Sequence, residues 1–381
     1  MFVFYCNIYI KKRSGVVNIM KKYSSLMSGY PQENSDRKKS NLEQIINPYM
    51  LSIIIPMYNC ELYINECLKS IFESNSDYLE NIEVILINDG SSDNTLQVCN
   101  EYVKKHKTQK IKIILIENHG VSYARNLGIK NSSGEYIMFL DSDDYLSSET
   151  FNIIFNKINS GNDVIFFSKS LDKNLSKEEL ILRLSGCRNN GVGISGPFSK
   201  IFNRKFLETE KIKFDINLIN GEDMIFCIES LIKAKKFLVI DKSFYKYRIH
   251  IGSATQRFDK KIIDSDRKFY ERLHTLLDKT DFNKTICDEI YNYSLCNAIF
   301  LLSSRISYIK NPINVIKQYN LFFNTEPYRS ASIKNVKIDK KKEIIIILNK
   351  MYLFLISDFI LKTYHLKKAK LSNKTDFFVT I

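Results

Sequence analysis

Short apolar runs alternate with amphipathic segments between residues 51 and 140. Four runs rich in Ile, Val, Leu and Phe are too short for helices and predict buried strands at 51–56, 82–87, 111–116 and 134–140. Between them, apolar side chains recur every three or four positions, as at Ile64, Cys67 and Ile71, which is typical of a helix that packs one face on a sheet. Strands alternating with such helices predict a doubly wound, mostly parallel α/β sheet flanked by helices.

Individual residues predict where these elements begin and end. Pro56 lacks an amide hydrogen and is expected to end the first strand. Asn59 and Asp93 have side chains that can cap the helices after the first and second strands, and Ser122 is expected to open the third helix.

Polar residues follow each predicted strand. They are Tyr58 and Asn59 after the first, Asp89 after the second, Asn118, His119 and Gly120 after the third, and Asp141 and Asp143 after the fourth. Ligands of parallel sheets bind beyond the carboxyl ends of the strands, so these loops are expected to converge on one site. No GxGxxG follows the first strand and no GxxxxGK[ST] occurs, so the sequence predicts neither a dinucleotide site nor a P-loop.

Asp141 and Asp143 lie two positions apart at a strand end, which places their carboxylates on the same side. Two such carboxylates repel each other unless a cation or a shared proton lies between them. Mg²⁺ and Mn²⁺ prefer oxygen ligands and complete their shells with phosphate oxygens and water, so a metal site for a phosphate-bearing ligand is one interpretation. The other is that Asp143 or Asp144 caps a helix after the strand.

The composition is that of an ordinary folded protein. The 381 residues are 44% hydrophobic and 26% charged, which excludes disordered, collagenous and disulfide-scaffold classes. Eight cysteines without a CxxC pair are expected to be reduced core residues of a cytosolic protein.

The net charge of +14 comes mostly from the two ends of the chain. Residues 1–50 contain eight basic and three acidic residues, and residues 330–370 contain ten and three, which leaves only +2 on residues 51–329. Since no nucleic-acid-binding motif accompanies this charge, a nucleic-acid partner is not predicted.

The two ends are expected to lie outside the main domain. Residues 1–49 predict a basic N-terminal extension, disordered in part, whose apolar start is too short to span a bilayer. The apolar stretch 344–361 is interrupted by polar residues and flanked by lysines, so a transmembrane helix is not predicted. Either it packs on the body of the protein, or it lies at the interface of an anionic membrane. The protein is expected to be cytoplasmic, and in the second case peripheral on the inner face of the membrane.

Four segments in this order resemble the family 2 glycosyltransferases, inverting enzymes with the GT-A fold. They are SIIIPMYN at 52–59, INDGSSD at 87–93, NHGVSYARN at 118–126 and FLDSDD at 139–144. The resemblance covers about 51–255 and implies a nucleotide-diphosphate sugar donor and a Mn²⁺ or Mg²⁺ cofactor. It implies a GT-A domain at 50–255. Apolar spacing and charge beyond that domain predict a helical C-terminal region at 256–329 and a basic amphipathic tail at 330–381.

The resemblance also implies roles for individual residues. The nucleotide-binding residues would be Pro56, Tyr58, Asp89, Arg125, Asp141 and Ser142. The metal ligands would be Asp143, Asp141 and His250. The residues that face the diphosphate or the acceptor would be Lys200, Arg248 and Ser253. Asp89 would accept a hydrogen bond from a base N–H; its alternative role is that of a turn residue in Asn-Asp-Gly. Family members often have Trp near position 198, where this chain has Phe198.

Glu222 and Asp223 follow Gly221 in the first turn of a predicted helix. Acidic residues there stabilise the helix dipole, which is the alternative to a catalytic role. The resembling family has an acidic pair at this place, and an inverting displacement needs one base opposite the leaving group. Asp223 is therefore expected to be the general base, with Glu222 as its neighbour or substitute.

The C-terminal third repeats apolar residues at helical spacing without a catalytic signature. It is expected to be core packing, with coverage of the acceptor side as the alternative.

The sequence as a whole predicts a metal-dependent, inverting glycosyltransferase that uses a nucleotide sugar. A UDP-sugar is the first candidate for this donor. The acceptor would be a glycan or lipid-linked molecule in bacterial surface polysaccharide synthesis, of capsule or lipopolysaccharide type. The alternatives are a nucleotidyltransferase on a related fold and a non-catalytic nucleotide-sugar-binding protein.

Overall fold

A seven-stranded sheet forms the centre of the computed structural model, which describes residues 50–74, 76–106, 110–158, 161–169, 171–187, 195–249, 261–329, 338, 340–351, 353–372 and 377–380. Its strands are β1 (Leu51–Met57), β2 (Ile82–Asp89), β3 (Ile111–Ile116), β4 (Tyr136–Phe139), β6 (Val164–Phe167), β7 (Lys200–Asn203) and β8 (Phe237–Ile240). The order is β3-β2-β1-β4-β7-β6-β8, and only β7 runs antiparallel to its neighbours. The predicted mostly parallel sheet is therefore confirmed.

Helices cover both faces of this sheet. They are α1 (Ile64–Phe72), α2 (Thr95–His106), α3 (Val121–Asn131), α4 (Thr150–Ile158), α5 (Lys177–Leu184), α6 (Arg204–Thr209) and α7 (Glu222–Lys233). Alternate residues of β1 enter different cores: Ile54 packs in one apolar cluster, while Ile53 and Ile55 pack in the other. This two-sided burial explains why the strands read as continuous apolar runs.

A small second sheet lies at the edge of the fold and was not predicted from the sequence. It consists of β10 (Phe377–Thr380), β9 (Tyr245–Ile249) and β5 (Tyr145–Leu146), in that order and antiparallel throughout. Because β5 follows Asp144 directly, this sheet ties the end of the chain to the acidic segment after β4.

Five helices form the C-terminal part: α8 (Lys261–Leu277), α9 (Lys284–Ile306), α10 (Pro312–Phe323), α11 (Lys340–Lys350) and α12 (Phe354–Ser372). Leu273 and Leu302 share one apolar cluster with Phe226 of α7, so α8 and α9 extend the core of the sheet domain. In the tail, Ile345 and Leu361 are buried, which shows that α11 and α12 pack on the body. A search of the described helices finds none with the length and apolar character that a membrane span requires.

The ends of two elements differ from the sequence prediction, and a third end agrees with it. Pro56 lies inside β1 rather than at its end, because its nitrogen faces the side of β4, and β4 pairs with β1 only as far as Ile54. Asn59 does not cap α1; its side-chain oxygen accepts from Ser92 N at 2.8 Å. Asp93 does bond the start of α2, where Oδ1 accepts from Thr95 N at 3.0 Å.

Candidate active site

The parallel strands β1, β2 and β4 bring their carboxyl ends to one edge of the sheet. Asp89 is the last residue of β2, and Asp141 follows β4 by two positions. α3 begins at this edge at Val121, one residue before the predicted start at Ser122, and Gly120 is its N-cap. The loops singled out in the sequence therefore lie together at the ligand-binding edge of the sheet.

Arg125 of α3 joins the acidic groups of this edge. It is 3% exposed. Its Nη2 donates to Asp141 Oδ1 at 2.9 Å, and its Nη1 forms an ion pair with Asp223. Glu222 Oε1 lies 4.0 Å from Nη1, and the guanidinium carbon is 5.2 Å from the centre of the Phe214 ring. A bidentate guanidinium is suited to hold two carboxylates at fixed positions.

Burial controls the charge in this cluster. It raises the pKa of Glu222 to about 8, with the Asp223 carboxylate adding to the effect. Burial also raises the pKa of Asp223, against the opposing charge of Arg125. The direct ion pair with Arg125 and a side chain that is still 27% exposed favour ionisation of Asp223. Near neutral pH, Asp223 is therefore the ionised member of the acidic pair and Glu222 the protonated one. Burial opposes the charge of Arg125, but the carboxylates raise its pKa and it stays cationic.

The segment before Glu222 rests on the C-terminal helices. Ile219 N donates to Ser265 Oγ of α8 at 2.7 Å, and Arg305 Nη2 of α9 donates to Asn220 Oδ1 at 3.2 Å. Gly221 has φ +79°, and a Cβ there would come within 2.5 Å of the ring of Phe269 in α8. These contacts fix the start of α7.

Sequence reasoning missed this supporting surface. The glycine before the acidic pair was the single local signal for it. Ser265, Phe269 and Arg305 lie 42 or more positions further along the chain than Asp223 and carry no motif. The helical region is therefore more than core packing: it supports the segment that carries the acidic pair.

Asp89 is 4% exposed and uses both carboxylate oxygens to fix the loop before α3. Oδ1 accepts from His119 N and Oδ2 from Gly120 N, each at 2.8 Å. The turn after it has Gly90 at φ +70°. Asp89 thus orders the loop at the predicted base site, and each oxygen keeps a second lone pair for a base N–H.

The other predicted nucleotide-binding residues lie around this loop. Tyr58 follows β1 with 54% of its surface exposed, which leaves its ring accessible to a base. Pro56 is buried within β1, and Ser142 is half-buried between the two aspartates of the predicted metal pair. His119 and Tyr123 contact each other with tilted rings, whose centres are 4.7 Å apart, an aromatic pair at the same edge that the sequence prediction did not include.

The segment after β4 is held by Arg248 and Tyr245 of β9. Asp144 is 1% exposed; its Oδ2 accepts from the Tyr245 hydroxyl at 2.6 Å and its Oδ1 from Arg248 N at 2.8 Å. Burial raises the pKa of Asp144 to about 8. Because the next helix begins only at Thr150, neither Asp143 nor Asp144 caps it, and the helix-cap interpretation was wrong.

Arg248 was predicted to face phosphate, and its side chain is engaged with protein groups. Its Nε donates to Asp143 O at 2.8 Å, its Nη2 forms an ion pair with Glu66, and its guanidinium lies over the Tyr63 ring. It therefore clamps the acidic segment to α1 and places a positive charge beside Asp143.

Two of the three predicted metal ligands lie among the described residues. Asp141 and Asp143 lie at the same edge, and His250 lies outside the described residues, as does Ser253. Among the residues that the structure describes, no three acidic, His or Cys side chains are grouped as metal ligands. Two carboxylates are still in keeping with Mg²⁺ or Mn²⁺, which take one or two protein carboxylates and add substrate phosphates and water.

Lys200 is 2% exposed and holds the turn before β7. Its Nζ donates to Gly196 O at 2.5 Å and to Phe198 O at 3.3 Å. Burial lowers the pKa of Lys200. Phe198 stacks on Tyr245 with ring centres 5.1 Å apart, so the residue at the place of the expected Trp packs against the strand that supports Asp144.

Comparison with known proteins identifies the domain around this site. A family model described as Glycosyl transferase family 2 matches residues 52–212, which include the ends of β1, β2 and β4 and all of α3. Residues 52–212 are thus a glycosyl transferase family 2 domain. This confirms the resemblance, and the chain is accordingly a glycosyltransferase that acts on a nucleotide sugar.

Two relatives show how far the likeness extends. The putative glycosyltransferase EpsH of Bacillus subtilis (strain 168) is 28% identical over 239 residues, which are 58% of this chain and 67% of that protein. The minor teichoic acid biosynthesis protein GgaB of the same strain is 31% identical over 263 residues, 66% of this chain and 28% of that protein. The chain thus spans two thirds of EpsH and less than a third of GgaB.

The fold of the chain is shared with a solved structure. Chain TarS 1-349 of S. aureus, crystallised in complex with UDP-GlcNAc, superposes with a TM-score of 0.52 at 22% identity, covering 83% of this chain and 92% of that chain. At that identity the likeness concerns the fold alone. It confirms the GT-A sheet with a helical C-terminal region.

Proposed function

We propose that this chain transfers a sugar, with inversion, from a UDP-sugar to a glycan or lipid-linked acceptor of bacterial surface polysaccharide synthesis. The observation that carries the proposal is the cluster in which Arg125 joins Asp141 to Asp223. Asp141 follows β4 at the predicted donor site, and Asp223 lies in the first turn of α7, the helix predicted to supply the base. One buried cation thus holds the donor side and the acceptor side of a single site at a fixed spacing.

Asp223 is the proposed general base. Its Oδ1 is paired with Arg125, which leaves Oδ2 to take the proton of an acceptor hydroxyl. As the acceptor oxygen bonds to the anomeric carbon, the bond from that carbon to the diphosphate oxygen breaks, and the nucleoside diphosphate leaves with the electron pair. The proton goes to Asp223, and Glu222, which holds its own proton near neutral pH, adds no second negative charge.

The donor would lie across the ends of β1, β2 and β4. Tyr58 offers an exposed ring to the base, and Asp89 has lone pairs for a base N–H, as a uracil would present. Asp141 and Asp143 would hold Mn²⁺ or Mg²⁺, and His250 would be a further ligand. When bound, the ion would stabilise the negative charge of the leaving diphosphate.

The acceptor class is supported by relatives rather than by the site. GgaB is named for minor teichoic acid biosynthesis, and a relative from Bacillus spizizenii is named a poly(ribitol-phosphate) beta-glucosyltransferase. We extend this to a polymer or lipid-linked acceptor at the inner face of the cytoplasmic membrane, with the enzyme cytoplasmic and peripheral.

The proposal is tested by Asp223→Asn, which keeps the shape of the side chain and removes its basicity. Release of UDP, GDP or CMP from a panel of UDP-, GDP- and CMP-sugars, with and without Mn²⁺, measures transfer and identifies the donor. We expect a loss of about 10²–10⁴-fold in kcat, the usual contribution of a general base, with the donor-induced rise in Tm retained. Asp241→Asn, an exposed aspartate outside the site, is the matched control and should keep full activity.

Two results would contradict the proposal. Unchanged transfer by the Asp223→Asn variant would remove the base assignment. Release of sugar 1-phosphate in place of an intact nucleoside diphosphate would show that the site attacks the α-phosphate and is a nucleotidyltransferase.

A further inference from the structure

The outer side of α10, α11 and α12 concentrates exposed apolar side chains, and we call it the apolar face. It contains eleven of the twenty large apolar side chains that are exposed in the described part of the chain. They are Ile313, Ile316, Leu321, Ile344, Ile347, Met351, Leu353, Leu355, Ile356, Phe359 and Tyr364. Phe359 is 71% and Met351 62% exposed. Patches of this kind on soluble proteins mark surfaces that contact a partner or a membrane.

In each of these helices, one side is used for packing and the exposed residues lie on the other side. In α11, Ile345 and Ile346 are buried, while Ile344 and Ile347 are exposed. α12 packs against α10, α11 and α9. An open groove between α10 and the start of α12 is lined by Ile316, Asn320, Leu353, Phe354, Leu355 and Ile356, so the exposed apolar residues of α10 are continuous with those at the start of α12.

The charge around the apolar face is positive. α11 and α12 together contain eight lysines and two acidic residues, Glu343 and Asp358. Asp358 is 6% exposed and accepts from Lys362 at 2.7 Å, so its charge is neutralised inside the helix layer. Lys340 and Lys350, at the two ends of α11, are exposed.

We propose that the apolar face docks on the surface of an anionic lipid bilayer. Apolar side chains of a helix lying in the membrane plane enter the headgroup region, while lysines beside them face anionic headgroups. Charge decides the occupant, since pairing the face with a second copy of this chain would bring two lysine-rich surfaces together. This inference rests on the proposed function. Docking would bring the enzyme to the membrane surface, where lipid-linked acceptors lie.

The test is co-sedimentation of the full chain, without nucleotide sugar, with vesicles of phosphatidylcholine alone or with about one third phosphatidylglycerol. The chain should bind the anionic vesicles and lose binding at high salt. The double substitution Ile356→Asp and Phe359→Asp should weaken binding at least tenfold. Lys340→Glu with Lys350→Glu should weaken it at least as much, at about fivefold per lysine removed from the surface.

A matched control separates the face from general surface hydrophobicity. Leu62→Asp with Leu115→Asp places two charges on exposed leucines, 78% and 58% exposed, outside the apolar face. This variant should bind vesicles like the unmodified chain. Circular dichroism and Tm check that all variants fold, as expected for exposed positions.

Three outcomes would overturn the docking. The full chain could fail to bind anionic vesicles, the apolar-face variant could bind undiminished, or the same substitutions could abolish a dimer seen by light scattering while vesicles remain unbound. The Asp223→Asn variant separates this test from that of the proposed function, since it should lose transfer and keep vesicle binding. If either the docking or the proposed base is wrong, the other can still be tested.

Discussion

At the scale of single residues, Arg125 shows how one buried cation organises the site. A guanidinium that is 3% exposed would be costly alone. Here it is paired with Asp141 and Asp223, and Glu222 adds a third carboxyl group within 4.0 Å. Burial, and next to it the Asp223 carboxylate, disfavour a further negative charge here, so Glu222 keeps its proton near neutral pH.

The proton on Glu222 predicts a pH-dependent stability. Folding raises its pKa from 4.5 to about 8, so the folded state binds this proton more tightly than the unfolded state. The stability it supports is complete below pH 4.5 and is lost as pH rises through about 8. Glu222→Gln removes this titration. The variant should therefore lose less Tm than the unmodified chain between about pH 5 and about pH 9, by roughly 5 °C.

The measurement is a pair of thermal melts across that pH range. Asp144 and Asp266, whose burial raises the pKa to about 8 and to about 6, titrate in both proteins and cancel in the comparison. Parallel Tm curves for the two proteins would show that Glu222 is ionised throughout.

At the scale of elements, the start of α7 depends on helices far along the chain. Gly221 combines a left-handed backbone with close approach to Phe269. The acidic pair is thereby placed against α8 and α9 before the rest of α7 enters the core. Local sequence shows the glycine, but it cannot show which ring the glycine approaches.

Gly221→Ala should therefore be costly. A Cβ would meet the Phe269 ring within 2.5 Å at φ +79°, which we expect to lower the free energy of unfolding by about 2–4 kcal/mol. Because the shift occurs beside Asp223, kcat should also fall about tenfold or more, as small displacements of a catalytic group do. Chemical denaturation and steady-state transfer kinetics measure the two effects.

Gly161→Ala is the matched control for this substitution. Gly161 has φ +66°, and a Cβ there would meet nothing within 4 Å. It should cost only the backbone strain, about 1 kcal/mol, and leave kcat unchanged. Equal losses of stability and activity in the two variants would mean that contact with Phe269 has no role.

At the scale of the whole molecule, the end of the chain returns to the site. β10 pairs with β9 in the register Phe378 to Arg248, and β9 supports Asp144 through Tyr245. The C-terminal helices also support the segment before Glu222. Both acidic segments of the site are thus braced by parts of the chain outside the matched residues 52–212.

Removal of residues 374–381, which takes away β10, should therefore weaken the support of the acidic segment after β4. Without β10, β9 becomes an edge strand, and we expect the free energy of unfolding to fall by about 1–3 kcal/mol. The KM for the nucleotide sugar should rise several-fold, because Arg248 and the acidic segment lose support. Denaturation and donor titration measure this; removal of Ile381 alone, which lies beyond β10, is the control. An unchanged KM would show that β10 has no influence on the site.

The sequence determined the sheet domain and the positions of its polar loops. Strand and helix periods are local, so β1 to β4 and the convergence of Asp89, Asp141 and Asp143 on one edge could be read from it. The acidic pair at the start of α7 could be found in the same way, since it follows a chain-breaking glycine.

Only the tertiary structure decided which groups those residues meet. A guanidinium or ammonium can pair with any carboxylate or carbonyl that the fold brings near it. Arg125 could therefore be expected at a nucleotide and is found between Asp141 and Asp223, while Lys200 holds a turn. The support from Arg305 and the pairing of β10 depend on contacts between distant parts of the chain. Such contacts form only after the chain has folded, and no local pattern encodes them.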